Sequence, residues 1–220
     1  MAADQIKIGI IGAGTNTVNR HVPELQTIPG VHIAGVCNRT RESSINVANK
    51  FGIPSTYDNW TEVIDDPQIN AVLIGTWPYL HCPATLMALA GGKHVLCEAR
   101  MAMNLSEARA MRDAARQNPS LVSQLVPAPN TLRVDSMVQR LISSGFIGDI
   151  VSVEIKDSSG FPDWAAQFHW RENSELSGLN IMSLGIWYEC MMRWVGEASH
   201  VHAMAQTVVK KRRDADGNLI

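Results

Sequence analysis

Two glycines, Gly12 and Gly14, stand one residue apart in the string KIGIIGAGTN, which runs from Lys7 to Asn16. Glycine tolerates the left-handed backbone of a tight turn, and the missing Cβ lets a main chain approach a diphosphate closely. A helix starting at this point adds unpaired N–H groups and a positive dipole end, which together hold an anion. Roughly 20 residues further on, where a dinucleotide-binding fold reads a ribose, stands Asn38, followed by Arg39. Thr15 and Asn16 complete the turn, and Thr76-Trp77 closes a later apolar run. A lone Gly-x-Gly also fits a plain structural turn. Its setting between an apolar run and a helix favours a bound dinucleotide.

The same residues carry an expectation about which dinucleotide. Asn38 lacks the carboxylate that would repel a 2′-phosphate, and Arg39 and Arg41 offer forked donors for one. NADP is therefore expected ahead of NAD. The alternative is that Arg39 stacks on adenine or faces solvent.

These groups need elements to position them. Ile6, Ile8, Ile10 and Ile11 form an apolar run too short for a helix, so a strand feeds the turn and a helix follows over about Thr17 to Ile28. Val31 to Cys37 is a second strand, Thr40 to Phe51 a helix stopped by Gly52, and Ser55 to Tyr57 a short strand. Thr61 to Asp65 is a helical turn, and the AVLIG run from Ala71 to Gly75 is a buried strand. Ligands of open parallel sheets collect at such carboxyl ends. Leu80 to Ala90 is helix, His94 to Glu98 strand, Leu105 to Asn118 helix and Leu121 to Val126 strand. This alternation with short connections predicts an α/β fold, a Rossmann doubly wound parallel sheet over residues 1–126.

After Pro127-Ala128-Pro129 the pattern changes, and a second domain is expected over 127–220. Val134 to Ser143 reads as an amphipathic helix, Ile150 to Asp157 alternates like a strand with one buried face, Ile181 to Val195 is a long apolar helix, and Val201 to Val209 reads as a strand. The basic run Lys210 to Arg213 reads as a solvated turn.

Composition narrows the classes. Hydrophobic residues make up 45% and charged residues 18% of 220, which is globular. A net charge of −2 provides no field for nucleic acid. Cys37, Cys82, Cys97 and Cys190 lack metal-ligand spacing and read as reduced core thiols. No leader pattern opens MAADQIKIGI and no apolar run reaches membrane length, so a cytoplasmic protein without membrane partners is expected.

The order GIIGAG, VCNRT, TWPYLHCPATLMALAGGKHVLCEARMAMNLSEA, LISSGFIGDI and SGLNIMSLGIWYECMMRWVG resembles the glucose-fructose oxidoreductase, inositol dehydrogenase and rhizopine-catabolism (Gfo/Idh/MocA) superfamily. The resemblance covers essentially the whole chain and is most specific from Pro78 to Ala108. It implies a dinucleotide-binding domain followed by an α/β domain on an open, mostly antiparallel sheet. It also implies hydride transfer between a nicotinamide and a sugar or cyclitol carbon, and a homo-oligomer when full length. Such proteins usually exceed this length by more than a hundred residues, so a fragment ending inside its second, substrate-binding and oligomerisation domain is expected. His81 matches a family position beside the cofactor, against ordinary helix surface, and Glu98 belongs to the cofactor set.

Several positions depart from the family pattern. The third fingerprint glycine is Thr17, expected to crowd the helix-strand contact. Glu-Lys-Pro becomes Glu98-Ala99-Arg100, removing the lysine beside the reacting hydroxyl, and Arg100 cannot release a proton near neutrality. Asp-x-Gly-x-His becomes Ser183-Leu184-Gly185-Ile186-Trp187. Candidates for substitute chemistry are Tyr188, His169 and Asp163, with Trp164, Trp170, Arg171 and Asn180 toward substrate. The bland readings are a core tyrosine, a solvated loop histidine and packing tryptophans. Glu189 is open between an ion pair with Arg193 and a site role. The resulting expectation is an NAD(P)-dependent oxidoreductase acting on a sugar, cyclitol or related polyol. The alternatives are an NAD-dependent glycosidase that oxidises transiently to permit elimination, and a non-catalytic dinucleotide-binding protein.

Overall fold

The computed structural model describes residues 5–127, 133–157, 163–179 and 183–220. Its backbone divides into two compact units, one of residues 1–126 with 173–179, the other of 127–172 with 180–220.

In the first unit, β1 (Ile6–Ile11), β2 (Val31–Cys37), β3 (Ser55–Thr56), β4 (Ala71–Ile74), β5 (His94–Cys97) and β6 (Ser123–Leu125) form one sheet in the order β3-β2-β1-β4-β5-β6. All five pairings are parallel. The order reverses direction between β1 and β4, so the crossovers leave helices on both faces. α1 (Val22–Gln26), reached through a π-helical stretch Thr17–His21, and α2 (Arg41–Phe51) cover one face. α3 (Trp60–Asp65), α4 (His81–Ala90) and α5 (Leu105–Gln117) cover the other. Strand alternation sends Ile8 and Ile10 to the first face with Val22 and Ala48, and Ile11 to the second with Val63 and Ala88. Ile10 and Ile74 have no exposed surface at all.

Local signals stop and start these helices as their residue types dictate. The Thr40 hydroxyl accepts the Ser43 N–H at the start of α2, and Gly52 at φ +67° ends it. Asn59 and Glu62 form a reciprocal capping box on α3, and Asn104 caps α5. The helix expected from Thr17 to Ile28 ends earlier, at Gln26.

The second unit holds α6 (Asp135–Ser143) and α8 (Leu184–Val195), while α7 (Ser174–Ser177) belongs to the first. Asp135 anchors α6 to α8: it pairs with Arg193 at 3.3 Å and accepts the Trp194 indole N–H at 2.9 Å. Arg193 also pairs with Glu189 at 3.3 Å, the ion pair one helical turn away that the spacing offered.

Two expected strands are corrected. Residues 151–157 and 201–209 join no ladder among the described residues, and Val151, Val201 and Met204 are 95%, 78% and 91% exposed. Alternation makes a strand only when a neighbour takes its N–H and C=O groups, and among the described residues none does. At 212–220 the charged turn does return: Arg212 and Ile220 exchange both backbone hydrogen bonds across Asp214–Gly217. Nor is the basic run wholly solvated. The Arg212 side chain is only 9% exposed and binds Glu172 Oε1 at 2.6 Å with the carbonyls of Asp163 and Ala166.

Candidate functional site

The carboxyl ends of β1, β2 and β4 surround a cleft of about 380 Å³ at the topological switch point. Gly12, Gly14, Asn38, Arg39, Thr76 and Trp77 all line it, so the structure brings together six residues singled out in the sequence. Gly12 has φ +83°, and a Cβ there would lie 2.6 Å from the Thr76 methyl and 2.9 Å from its backbone nitrogen. Only glycine fits. A Cβ on exposed Gly14 would meet nothing nearer than 3.8 Å, so its absence leaves open space on the cleft side for a diphosphate to reach the main chain. These two observations are the test of fit for a dinucleotide, and the residues present meet it.

Thr17 does not crowd the turn as expected. It is 1% exposed and packs against Gly75, where a Cβ would sit 2.3 Å from the Thr17 hydroxyl. The space lost at the third fingerprint position is returned by a glycine on the facing strand end.

Asn38 is held more firmly than a ribose reader needs. Its side-chain oxygen accepts the Ala13 N–H at 2.6 Å, and its amide donates to the Ser43 carbonyl at 3.2 Å and hydroxyl at 2.9 Å. It ties the glycine turn to the start of α2. Arg39 lies over the Trp77 ring at 5.3 Å. Arg41 is engaged by Asp58 through two contacts at 2.7 and 2.6 Å, both side chains well exposed. Sequence reasoning did not reach Asp58, because residues 17 positions apart meet only when β2 and β3 lie side by side.

Beyond the turn lies a second cluster. Glu98 Oε1 takes His21 Nε2 at 2.5 Å and the Asn16 amide, while Glu98 Oε2 accepts the Ala99 N–H at 3.1 Å. Burial pushes the Glu98 carboxyl up, but the His21 and Asn16 hydrogen bonds, the His21 charge and the Ala99 N–H outweigh it and hold it below the usual carboxylate range. His21 was not singled out in the sequence; a histidine one turn into a fingerprint helix carries no signal until β5 brings a carboxylate to it. Thr15 is exposed beside the cluster.

His81 has no exposed surface, and its Nδ1 and Nε2 face the Arg100 and Thr76 carbonyls at 2.6 and 3.0 Å. It braces the ends of β4 and β5 and presents no nitrogen to a ligand. Desolvation pushes its pKa down against those two carbonyls.

The remaining candidates lie in the second unit. Asp163 and Trp164 open a segment in which the His169 ring lies 5.4 Å from that of Trp170 and Arg171 lies over Trp170 at 4.5 Å. The His169 Nδ1 accepts the Arg171 N–H, the Asp163 carboxylate accepts the Ala165 N–H, and Trp164 is 66% exposed. Tyr188 is half-buried on α8, with no hydrogen bond or ring contact to this segment among the described residues. Asn180 lies outside the described residues. Among the described residues no group of three or more potential ligands could hold a metal, and no helix is long and apolar enough to cross a membrane.

A parallel sheet in the order 3-2-1-4-5-6 with a glycine turn at its switch point defines a dinucleotide-binding α/β domain of Rossmann type. The chain belongs to the Gfo/Idh/MocA family: residues 6–125 match its profile, an oxidoreductase family with an NAD-binding Rossmann fold, and residues 136–219 match a Gfo/Idh/MocA C-terminal domain. Glucose-6-phosphate 3-dehydrogenase of Bacillus subtilis (strain 168) is 29% identical over 216 residues, covering 94% of this chain and 60% of its own. An NAD-binding oxidoreductase from Klebsiella pneumoniae superposes with a TM-score of 0.76 at 24% identity, over 98% of this chain and 60% of its own. Scyllo-inositol dehydrogenase from Lactobacillus casei, with bound NAD(H) and scyllo-inositol, superposes with a TM-score of 0.58 at 22% identity, over 66% and 43%. The chain spans about half the length of the curated relatives it matches.

Proposed function

We propose that this chain forms the cofactor-binding part, and some of the substrate-binding part, of an NAD(P)-dependent oxidoreductase that moves a hydride between the nicotinamide and a carbon of a sugar, cyclitol or related polyol. The observation that carries the reading is the glycine-lined cleft at the β1/β4 switch point, whose backbone geometry excludes a Cβ at Gly12 and leaves room at Gly14. The named dehydrogenases among its relatives support the polyol class. The domain division at about residue 126, a homo-oligomeric full-length protein and a reducing, cytoplasmic setting are parts of the same reading. The last two draw support from the exposed apolar side chains of the second unit and from four buried cysteine thiols.

NADP is the favoured cofactor. No carboxylate follows β2, Arg39 lines the cleft, and Asp58 is neutralised by Arg41. Each charge contact with a 2′-phosphate is worth about 1 to 4 kcal/mol across plausible effective dielectrics, and about 1.4 kcal/mol is tenfold in affinity. Titration with NADPH and NADH tests this, and tighter NADH binding overturns it. Incubation with NADP and a panel of sugars and cyclitols tests the activity by absorbance of the reduced nicotinamide. Sugar release without net redox change would turn the reading to a glycosidase, and tight cofactor binding with neither reaction to a binding protein.

A further inference from the structure

Position 99 carries no side chain that can exchange a proton, so an alcohol oxidised by this protein must lose its proton elsewhere. The carboxyl ends of β4 and β5 offer few groups. His81 is sealed between two carbonyls, burial pushes the Cys97 thiol up to about 12, and Arg100 holds its proton. Among the described residues, what remains there beside the cleft-lining Tyr79 is the cluster of Asn16, His21 and Glu98.

Its geometry is that of an oriented base. Glu98 Oε1 lies 2.5 Å from His21 Nε2, and two lone pairs would repel at that distance, so Nε2 carries the hydrogen. Asn16 donates to the same carboxylate oxygen. In the uncharged form of His21, the form able to accept a proton, the free nitrogen is therefore Nδ1, to which no hydrogen bond is made among the described residues. The His21 and Glu98 side chains are 16% and 14% exposed, screened yet open to a small ligand. None of the three residues lines the cleft on the β2 side. A dinucleotide crossing the switch point with its adenosine on that side extends its second nucleotide toward β4 and β5, where Glu98 directly follows its strand.

We infer that His21 is the general base of the reaction, positioned by Glu98 and Asn16. The inference rests on the dehydrogenase reading above. As the alcohol carbon gives up its hydride, two electrons leave with it to the oxidised nicotinamide. The hydroxyl proton passes to His21 Nδ1, the O–H electron pair becomes the second C–O bond, and a ketone and an imidazolium remain. Reduction runs the same step backwards, with His21 donating.

Two measurements test the inference. In the wild-type chain, diethyl pyrocarbonate modification of His21, followed by peptide mass spectrometry, slows at least about threefold under saturating NADPH, because Nδ1 faces the bound molecule. In the variants, His21→Asn, which keeps a donor toward Glu98, lowers kcat by about 10² to 10⁴. Glu98→Gln lowers it less, and NADPH affinity stays within about threefold in His21→Asn, a split that a structural brace would not produce. If wild-type protein binds neither NADPH nor NADH, the dehydrogenase reading falls and the inference with it. If it binds but His21 reacts equally fast with and without NADPH, or His21→Asn retains kcat within about threefold, the inference is overturned while the dehydrogenase reading stands. The modification experiment uses wild-type protein alone, so a variant that fails to fold leaves the decision intact.

Discussion

The two units of this chain are held together by different forces. In the first, a parallel sheet buries side chains on both faces, and Ile10, Val22, Val36, Val63 and Ile74 are fully enclosed. In the second, Cys190 is the one buried residue among those described, and the order comes from two arginines: Arg193 joins α6 to α8, and Arg212 gathers the segment from Asp163 to Glu172. Burial of apolar surface contributes about 25 cal/mol per Å² and needs no alignment. A charge-assisted hydrogen bond contributes about 1.5 to 3 kcal/mol and only in one geometry. The first unit should therefore tolerate polar surface changes and fail on shape, whereas the second should fail when one charge is removed.

Gly75→Ala gives the largest expected effect. Its new Cβ would lie 2.3 Å from the Thr17 hydroxyl and 2.4 Å from the Gly12 carbonyl, and the second neighbour is backbone that cannot step aside. We expect at least the 1 to 3 kcal/mol typical of overpacking, roughly, and an NADPH dissociation constant raised at least about tenfold. Denaturant melts and cofactor titration measure both, and adding Thr17→Gly should restore part of the loss by removing one of the two clashes. Unchanged melting in Gly75→Ala would show that the turn is not packed as described.

Asp135→Ala should cost about 1 to 3 kcal/mol, since it deprives the Trp194 N–H of its acceptor and Arg193 of one of its carboxylates. Hydrogen exchange should rise in α6 and α8 while β1, β4 and β5 keep their protection. Equal loosening of both units would dissolve the contrast between them.

The next effect is one of pH. Burial holds the His81 pKa below the ordinary histidine value, so on acidification the unfolded chain takes up a proton first. Stability is then full above the unfolded pKa, about 6.5, and falls as the pH drops from there through the folded value. Melting temperature between pH 7.5 and 5 should show this slope, and His81→Gln should flatten it. A slope of equal size in His81→Gln would assign it to other groups.

The smallest effect is expected at the rim of the cleft. Arg41 and Asp58 are 67% and 60% exposed, so Asp58→Ala should alter stability by no more than about 1 kcal/mol. It should nonetheless tighten NADPH binding relative to NADH by freeing Arg41, and no change in that ratio would remove Arg41 from the account of cofactor choice.

The first unit was legible almost element by element because its strands are short apolar runs and its helices carry their own caps: Thr40, Asn59 and Asn104 all begin the helices they precede. The second unit was not. Ile150 to Asp157 alternates as a strand does, yet a strand is a relation between two segments, and no partner lies beside it among the described residues. Arg212 looked like one of a run of surface charges, because nothing local says that Glu172, forty residues earlier, is waiting for it.

By itself the sequence determined the strand-turn-helix at Gly12 and Gly14, the parallel doubly wound sheet, the absence of a lysine at position 99 and the family. These follow from periodicity, from backbone constraints peculiar to glycine and from residue identity, all of which act within a few positions along the chain. Only the tertiary structure decided that Gly75 makes room for Thr17, that Asn38 braces the turn, that His81 is sealed between carbonyls, and that Glu98 meets His21. Each of these joins residues from 5 to 77 positions apart. Which side chains share a sheet edge depends on strand order, and strand order is set by how the crossovers pack rather than by any single stretch of residues.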